Sequence, residues 1–158
     1  MLEAQGNTYT IICAKASRRG VGSSGICGRS AGGCREVIWN DTVNFIGCDV
    51  QYEEARIVII GAPFDSPTSF RPGTRFAGQA VRNDSYGLEI YSPYQDKELP
   101  ENVVYDCGDL ELAIGSPSKV LGQIEDCARD ILRDGKLPFM IGGEHLVTLG
   151  GVRAAVEK

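Results

Sequence analysis

The sequence predicts an α/β protein whose parallel sheet is built from strand, helix and strand in alternation. Two apolar runs predict buried strands: residues 56–63 are rich in β-branched side chains, and residues 137–141 follow a long amphipathic helix. A shorter apolar run at 103–107 lies between them and is closed by Gly108 and Asp109. Together the runs predict a sheet of three parallel strands.

The clearest helix is predicted over residues 117–134, between the second and third strands. Its apolar side chains recur at the spacing of one continuous helical stripe. They are Val120, Leu121, Ile124, Cys127, Ala128, Ile131 and Leu132. Ser116 is the expected N-cap with Pro117 at the first helical position, and Gly135 is the expected residue after the C-cap.

The segment after the first strand predicts an ordered loop and then a short helix. Residues 64–75 contain two prolines and several turn-forming residues, which favour irregular but ordered backbone. The following helix is expected from residue 76 to about residue 86. Its predicted buried face holds Ala77, Ala80 and Val81, which have helical spacing.

Composition excludes several classes of function. The chain has 158 residues, 42% of them hydrophobic, and a net charge of −5, which argues against nucleic acid or an anionic membrane as a partner. No apolar stretch approaches the roughly 20 residues that span a bilayer. The six cysteines form no C-x-x-C pair, and one histidine cannot complete a Cys/His zinc cluster. We therefore expect a cytoplasmic protein with reduced cysteines, in which Cys107 and Cys127 pack as small buried hydrophobes.

The charge is unevenly distributed along the chain. Residues 1–35 carry five basic side chains and one acidic side chain, a net charge of +4, which leaves −9 for the remainder. Their glycine and serine density, without apolar periodicity, is typical of flexible coil. We therefore divide the chain into a flexible leader of uncertain origin, 1–36, and a domain, 37–158.

The leader also has two alternative interpretations, as a dinucleotide-binding segment and as a targeting peptide. Gly20, Gly22 and Gly25 satisfy G-x-G-x-x-G, but a dinucleotide fingerprint must open a helix, and the further glycines that follow would break one. A targeting peptide is a further alternative, although the basic segment shows no amphipathic face. An adventitious leader is the favoured interpretation.

The strongest candidate for chemistry is the single histidine, His145. It follows Gly142, Gly143 and Glu144 directly after the third predicted strand. Ligands of open α/β sheets bind at this carboxyl end of the strands. From position alone, however, a histidine that is hydrogen-bonded within a loop is the simpler interpretation. Glu144 either braces this loop or is a solvated side chain.

Four acidic or basic side chains follow the first two strands at the same edge. Asp65 and Arg71 lie on the loop after the first strand, where an aspartate could face a cationic ligand. An ion pair between Asp65 and Arg71 within the loop is equally sound on physical grounds, and we prefer this interpretation. Asp106 and Asp109 flank Gly108, and turn capping is their expected role.

Four motifs, in order along the chain, resemble the ureohydrolases of the arginase family. They are Gly61-Ala62-Pro63-Phe64-Asp65, Thr68-Ser69-Phe70-Arg71-Pro72-Gly73-Thr74-Arg75-Phe76, Gly108-Asp109-Leu110-Glu111-Leu112 and Gly142-Gly143-Glu144-His145. The T-S-x-R-P-G loop is most similar to the agmatinase branch. The resemblance covers roughly residues 44–158 and only the N-terminal part of such an enzyme. Leu146, where many members have serine, and Pro67, which stiffens the loop, depart from the pattern.

The resemblance implies a three-layer α/β/α arginase-like fold with a parallel sheet, truncated to roughly its first three strands. It implies Mn-dependent hydrolysis of agmatine to putrescine and urea, with two Mn²⁺ ions per active site and a homo-oligomer at full length. Guanidinium is a poor electrophile, and a metal pair supplies hydroxide near neutral pH. By the family pattern His145 is a metal ligand, while no catalytic or cofactor-binding residue is assigned.

The remaining ligands of the family come from D-x-H-x-D and D-x-D motifs, neither of which occurs in this sequence. We therefore expect the chain to be inactive alone. The alternatives are a non-catalytic paralogue or binding subunit, or a ureohydrolase acting on arginine, guanidinobutyrate or formiminoglutamate. The resemblance also implies that the outer edge of the third strand is unpaired and apolar, an aggregation hazard.

Overall fold

The computed structural model describes residues 43–101 and 103–156, together with the backbone of residues 11–13 and 38–39. A 3₁₀ turn at Thr74–Phe76 leads into the first helix. The strands and helices are β1 Ile11–Cys13, β2 Ile38–Trp39, β3 Ile57–Ala62, α1 Ala77–Ser85, β4 Tyr91–Ser92, β5 Lys97–Glu98, β6 Val104–Leu110, α2 Pro117–Arg133, β7 Leu137–Gly142 and α3 Val147–Val156.

The main sheet has five strands in the order β1-β7-β3-β6-β2. Its central strand, β3, pairs in parallel with β7 on one side and with β6 on the other. The pairing with β7 is regular from Ile57↔Leu137 to Ala62↔Gly142, whereas the pairing with β6 shifts register between Ile59 and Gly61. The predicted sheet of three parallel strands is confirmed, and two short antiparallel strands flank it.

Alternate side chains of the parallel strands enter two different cores, one on each face of the sheet. The larger core joins β3 and β6 to α2 and the start of α3; its buried members include Val58, Ile60, Cys107, Ile124 and Val147. The smaller core on the other face contains Ile59, Cys48, Val104 and Ile141. Helix α1 lies on this second face, because Arg82 of α1 contacts Asp106 of β6. The described residues therefore form three layers.

Helix α2 agrees closely with the prediction. Its buried residues are the seven predicted from periodicity: Val120, Leu121, Ile124, Cys127, Ala128, Ile131 and Leu132. Gly135 follows the helix with φ of 75°, a left-handed conformation that glycine adopts without strain. Ser116 is the N-cap residue but makes no side-chain capping hydrogen bond.

The predicted face of α1 is only partly confirmed, because Ala77 is buried but the other two predicted residues are not. The helix is present, but its buried residues are Ala77, Gly78, Arg82 and Ser85. Ala80 is exposed and Val81 is only half-buried. A buried arginine that binds carboxylates determines which side of this helix faces the sheet.

Two expectations for the N-terminal segment need correction where the structure describes it. Residues 11–13, expected to be flexible coil, form strand β1, and β1 pairs antiparallel with β7. The outer edge of β7, expected to be unpaired, is therefore covered at Phe139–Ile141. The rest of the leader, including the G-x-G-x-x-G pattern, lies outside the described residues.

Strands β4 and β5 form a small separate hairpin that the sequence did not predict.

Within the described residues, no helix is both long enough and apolar enough to cross a membrane.

Candidate functional site at the carboxyl ends of the strands

The residues singled out from the sequence lie at one edge of the sheet. Because β3, β6 and β7 run parallel, the loops that follow them leave from the same edge. Asp65 lies on the loop after β3, Asp109 lies near the end of β6, and Glu144 and His145 lie on the loop after β7.

The loops after β3 and β7 are joined through their backbones. The Gly143 amide donates to the Ala62 carbonyl at 2.9 Å, and the Glu144 amide donates to the Phe64 carbonyl at 2.9 Å. A Cβ atom at position 143 would lie 2.1 Å from the Phe64 carbonyl oxygen, so only glycine fits. The second glycine of the G-G-E-H motif, Gly143, therefore permits close approach of the two loops.

His145 lies in a turn between β7 and α3, and its side chain is exposed. Its carbonyl accepts a hydrogen bond from the Thr148 amide, which ties the turn to the first turn of α3. The expectation of a histidine hydrogen-bonded in its loop is not met, because its imidazole has no hydrogen bond to any part of the chain that the structure describes. The exposed side chain thus projects from a turn whose backbone is hydrogen-bonded to α3.

Glu144 is half-buried and differs from a solvated surface residue. Its backbone amide and carbonyl bind Phe64 and Val147 respectively, so the residue braces the loop. Its Oε1 atom is buried and has no hydrogen-bond partner within the described ranges. Burying a carboxylate oxygen without a hydrogen-bond donor costs free energy. Oε1 of Glu144 is such an atom, and it belongs to the residue next to His145.

Asp65 pairs within its loop, but with Arg75 instead of the predicted Arg71. The Arg75 guanidinium lies 3.0 Å from Asp65 Oδ1, and the Gly73 amide donates to Oδ2 at 2.6 Å. Arg71 instead lies over the ring of Phe70, with 5.2 Å from its guanidinium carbon to the ring centroid. Asp65 therefore closes the T-S-F-R-P-G loop from inside.

The environment of Asp65 favours its ionised form. The side chain is only 5% exposed, and burial opposes ionisation. Hydrogen bonds from the Gly73 amide and from the side chain and amide of Arg75 outweigh that penalty. The pKa of Asp65 is consequently lowered from its ordinary value.

Asp106 and Asp109 both bind Arg82, a residue that the sequence analysis missed. Arg82 Nε and Nη2 donate to the two oxygens of Asp106 at 2.8 and 2.9 Å, and Nη1 donates to Asp109. Asp106 also accepts the Gly108 amide at 2.9 Å, which is the turn-capping role expected of it. Burial opposes the charge of Arg82, but the two carboxylates raise its pKa.

Two glycines make room for this cluster. A Cβ atom at Gly61 of β3 would lie 1.8 Å from Asp109 Oδ1, and one at Gly78 of α1 would lie 2.6 Å from the same atom. A larger side chain at either position would displace Asp109 from Arg82. Residues 61, 78 and 109 meet only through tertiary contacts, so no local pattern in the sequence would have revealed the cluster.

The described residues do not by themselves enclose a metal ion. Across 43–101 and 103–156, no group of three His, Cys, Asp or Glu side chains is placed to hold one. Asp65, Asp106 and Asp109 already bind arginines. Among the described residues at this edge, the His145 imidazole and the Glu144 carboxylate are not engaged by an arginine, and they supply fewer than the three ligands of a closed site. The assignment of His145 as a metal ligand stays a prediction.

The cysteines only partly follow the expectation of reduced, buried thiols. Cys48 and Cys107 are free and buried, and burial followed by the Asp106 charge raises the pKa of each thiol to about 12. Cys127 is buried as expected, but it is disulfide-bonded. The expectation that all cysteines are reduced is therefore wrong.

Comparison with known proteins places most of the described chain in one family. Residues 55–158 match the model of the arginase family. The agmatinase of Bacillus subtilis is 41% identical over 114 residues, which are 72% of this chain and 39% of the relative.

Solved structures that resemble this chain point to the same family. The agmatine ureohydrolase of Thermoplasma volcanium aligns with a TM-score of 0.66 at 32% identity, over 76% of this chain and 40% of that chain. A formiminoglutamase of Trypanosoma cruzi with Mn²⁺ aligns with a TM-score of 0.56 at 27% identity, over 66% of this chain and 37% of that one. The chain thus spans less than half the length of these relatives.

Proposed function

Because the chain belongs to the arginase family, we propose that it forms the first strands of a ureohydrolase that hydrolyses agmatine to putrescine and urea. The observation that carries the proposal is the loop after β7. Gly143 fixes it against Phe64, and the loop presents an exposed imidazole at the edge where α/β proteins bind ligands.

His145 would supply one ligand to a pair of Mn²⁺ ions. A bound metal pair lowers the pKa of water, so that hydroxide is available to attack a guanidinium carbon. Imidazole with several carboxylates is a ligand set that suits Mn²⁺. This chain contributes the imidazole and the rigid loop that holds it, and the carboxylates must come from elsewhere.

We expect the 158-residue chain alone to release no urea from agmatine. The described residues contain no cluster of three potential ligands, and one imidazole does not hold two ions. Urea released by pure, monodisperse chain with Mn²⁺ would contradict this expectation.

A chimera tests the proposal directly. Residues 44–158 are joined to the remaining C-terminal part of the Bacillus subtilis agmatinase, and urea release and bound manganese are measured. We expect turnover of agmatine, with both activity and manganese content lost in His145→Asn. The matched control Lys119→Ala changes an exposed residue of α2 and should retain both. A folded chimera whose His145→Asn variant keeps its full manganese content would overturn the assigned role.

A different guanidino or formimino substrate is the second candidate. The likeness to a formiminoglutamase at 27% identity favours including it. The chimera is therefore assayed on arginine, guanidinobutyrate and formiminoglutamate beside agmatine. A chimera that binds manganese but converts none of the four supports a non-catalytic paralogue or binding subunit. Reading the coding sequence past Lys158 gives an independent check, since D-x-H-x-D and D-x-D motifs there support an enzyme.

Location in the cytoplasm and a homo-oligomeric full-length enzyme remain part of the proposal. The Cys127 disulfide counts against a uniformly reducing environment. Fractionation of cells with an antibody to the chain tests the location, and light scattering on the longer protein tests the assembly.

A further inference from the structure

Glu144 differs from the other partly or fully buried acidic side chains near the carboxyl ends of the strands. Asp65, Asp106 and Asp109 each bind an arginine guanidinium. Glu144 has no such partner among the described residues, and its Oε1 atom is buried without a hydrogen bond. Charges that leave water are normally paired with an opposite charge or with a metal ion. Glu144 is thus a half-buried negative charge that the described residues leave uncompensated.

The burial of Oε1 limits what can compensate this charge. The atom is already out of contact with solvent, so a further segment of protein cannot reach it without displacing its neighbours. A cation outside the loop therefore acts on Oε1 through space. That interaction is stronger than it would be in bulk water, because the effective dielectric constant near a protein surface is about 20 instead of about 80.

The backbone of the loop places this charge beside the predicted metal ligand. The Glu144 amide donates to the Phe64 carbonyl at 2.9 Å, which holds the residue against the loop after β3. The Val147 amide donates to the Glu144 carbonyl at 3.3 Å, which closes the turn that contains His145. The His145 side chain is exposed. A cation that binds the imidazole therefore lies near the covered carboxylate oxygen without touching it.

We propose that Glu144 is the electrostatic partner of the metal centre. Its charge destabilises the chain without metal and strengthens the binding of cations at His145. This proposal rests on the proposed function, since it takes His145 as a metal ligand. Mn²⁺ ions bring concentrated positive charge and the imidazole ligand is neutral, so a carboxylate close to the ions stabilises the bound state. Glu144 acts through its charge and is not itself a ligand.

Removing the charge should change stability and metal affinity in opposite directions. In the full 158-residue chain without metal, Glu144→Gln should raise the melting temperature by at least about 2 °C, because a neutral amide costs less to bury than a carboxylate. The affinity of this variant for Mn²⁺ should fall by at least about fivefold. Loss of a merely structural contact would lower stability and affinity together, so the opposite signs are specific to the proposed charge.

The metal readout is specific because the chain contains a single histidine. Paramagnetic Mn²⁺ broadens the imidazole proton resonances of His145 even when one ligand holds it weakly, so a titration followed by nuclear magnetic resonance measures the affinity. Glu144→Asp keeps the charge and should stay within about twofold of the parent affinity. Glu98→Gln removes an exposed carboxylate of β5 and should change neither melting temperature nor affinity.

The proposal is overturned if Glu144→Gln melts at or below the temperature of the parent, or if it binds Mn²⁺ as tightly as the parent does. In the second case His145 remains a metal ligand, and only the role of Glu144 is lost. A parent chain whose imidazole resonances do not respond to Mn²⁺ contradicts both this proposal and the assignment of His145. If Glu144→Gln does not fold, the same two comparisons are made with Glu144→Met, which has no polar side-chain oxygen to bury.

Discussion

Asp106 binds Arg82 through both of its carboxylate oxygens, with Oδ2 2.8 Å from Nε and Oδ1 2.9 Å from Nη2. The Arg82 side chain is 1% exposed, and it connects α1 to β6 across one face of the sheet. Asp106 also accepts the Phe45 amide, so the pair fixes a third segment. A buried charge pair with this geometry is costly to break from one side.

Replacing Arg82 should therefore destabilise the domain strongly. In Arg82→Met the two carboxylates lose their cation, and we expect the free energy of unfolding in urea to fall by about 3–5 kcal/mol. The control is Arg133→Met, since Arg133 is 70% exposed and lies 3.6 Å from Asp130. Its effect should stay within about 0.5 kcal/mol. Equal losses in the two variants would contradict a structural role for the buried cluster.

Gly143 and Gly122 should respond oppositely to alanine. At position 143 the new methyl group collides with the Phe64 carbonyl, so Gly143→Ala should lose about 1–3 kcal/mol of stability. At position 122, within α2, nothing lies within 4 Å of the added Cβ. Gly122→Ala should therefore gain about 0.5–1 kcal/mol from helix propensity. Thermal unfolding followed by circular dichroism measures both, and a stable Gly143→Ala would show that the loops are not closely joined.

The lowered pKa of Asp65 predicts a loss of stability in acid. The folded state favours the carboxylate, so the stabilisation is present above the ordinary pKa of 3.8 and is lost as pH falls through the lower folded value. Unfolding in urea at pH values from 7 down to 3 measures this loss. Asp65→Asn should show a shallower decline, and an unchanged slope would assign the acid sensitivity to other groups.

The raised thiol pKa values predict a loss of stability in alkali. Cys48 and Cys107 stay neutral in the folded state until about pH 12, whereas unfolded thiols ionise near 9.0. Their stabilisation is therefore present below pH 9 and is lost as pH rises toward 12.

Alkylation tests the same burial. At pH 8, iodoacetamide should label Cys48 and Cys107 slowly in the folded chain and rapidly in urea, as measured by mass spectrometry of their peptides. Rapid labelling of the folded chain would mean that the thiols are accessible.

Local pattern was sufficient for some elements and insufficient for others. All seven buried residues of α2 follow from a helical stripe, because one apolar face packs on the sheet. The face of α1 was predicted only at Ala77, because Arg82 is buried and periodicity assumes that charged residues face solvent. Strand β1, Ile11–Cys13, pairs with β7, a contact between distant parts of the chain that local pattern does not reveal.

The same limits apply to the candidate site. The position of His145 could be predicted, because the apolar run and the glycines that end the strand are visible in the sequence. The partner of Asp65 could not be predicted. Arg71 and Arg75 are both close to Asp65 in sequence, and only the backbone path of the loop selects Arg75. Arg71 has φ of 45° and turns away to stack on Phe70.

The contact between Gly143 and Phe64 has a consequence for how this edge can be altered. A loop graft that replaces residues 63–73 alone changes the surface on which the histidine turn rests, and a graft of 143–146 alone meets a foreign support. Protein engineers who wish to alter this edge should transplant the two segments as one cassette. Natural variation in length should likewise occur in both segments or in neither.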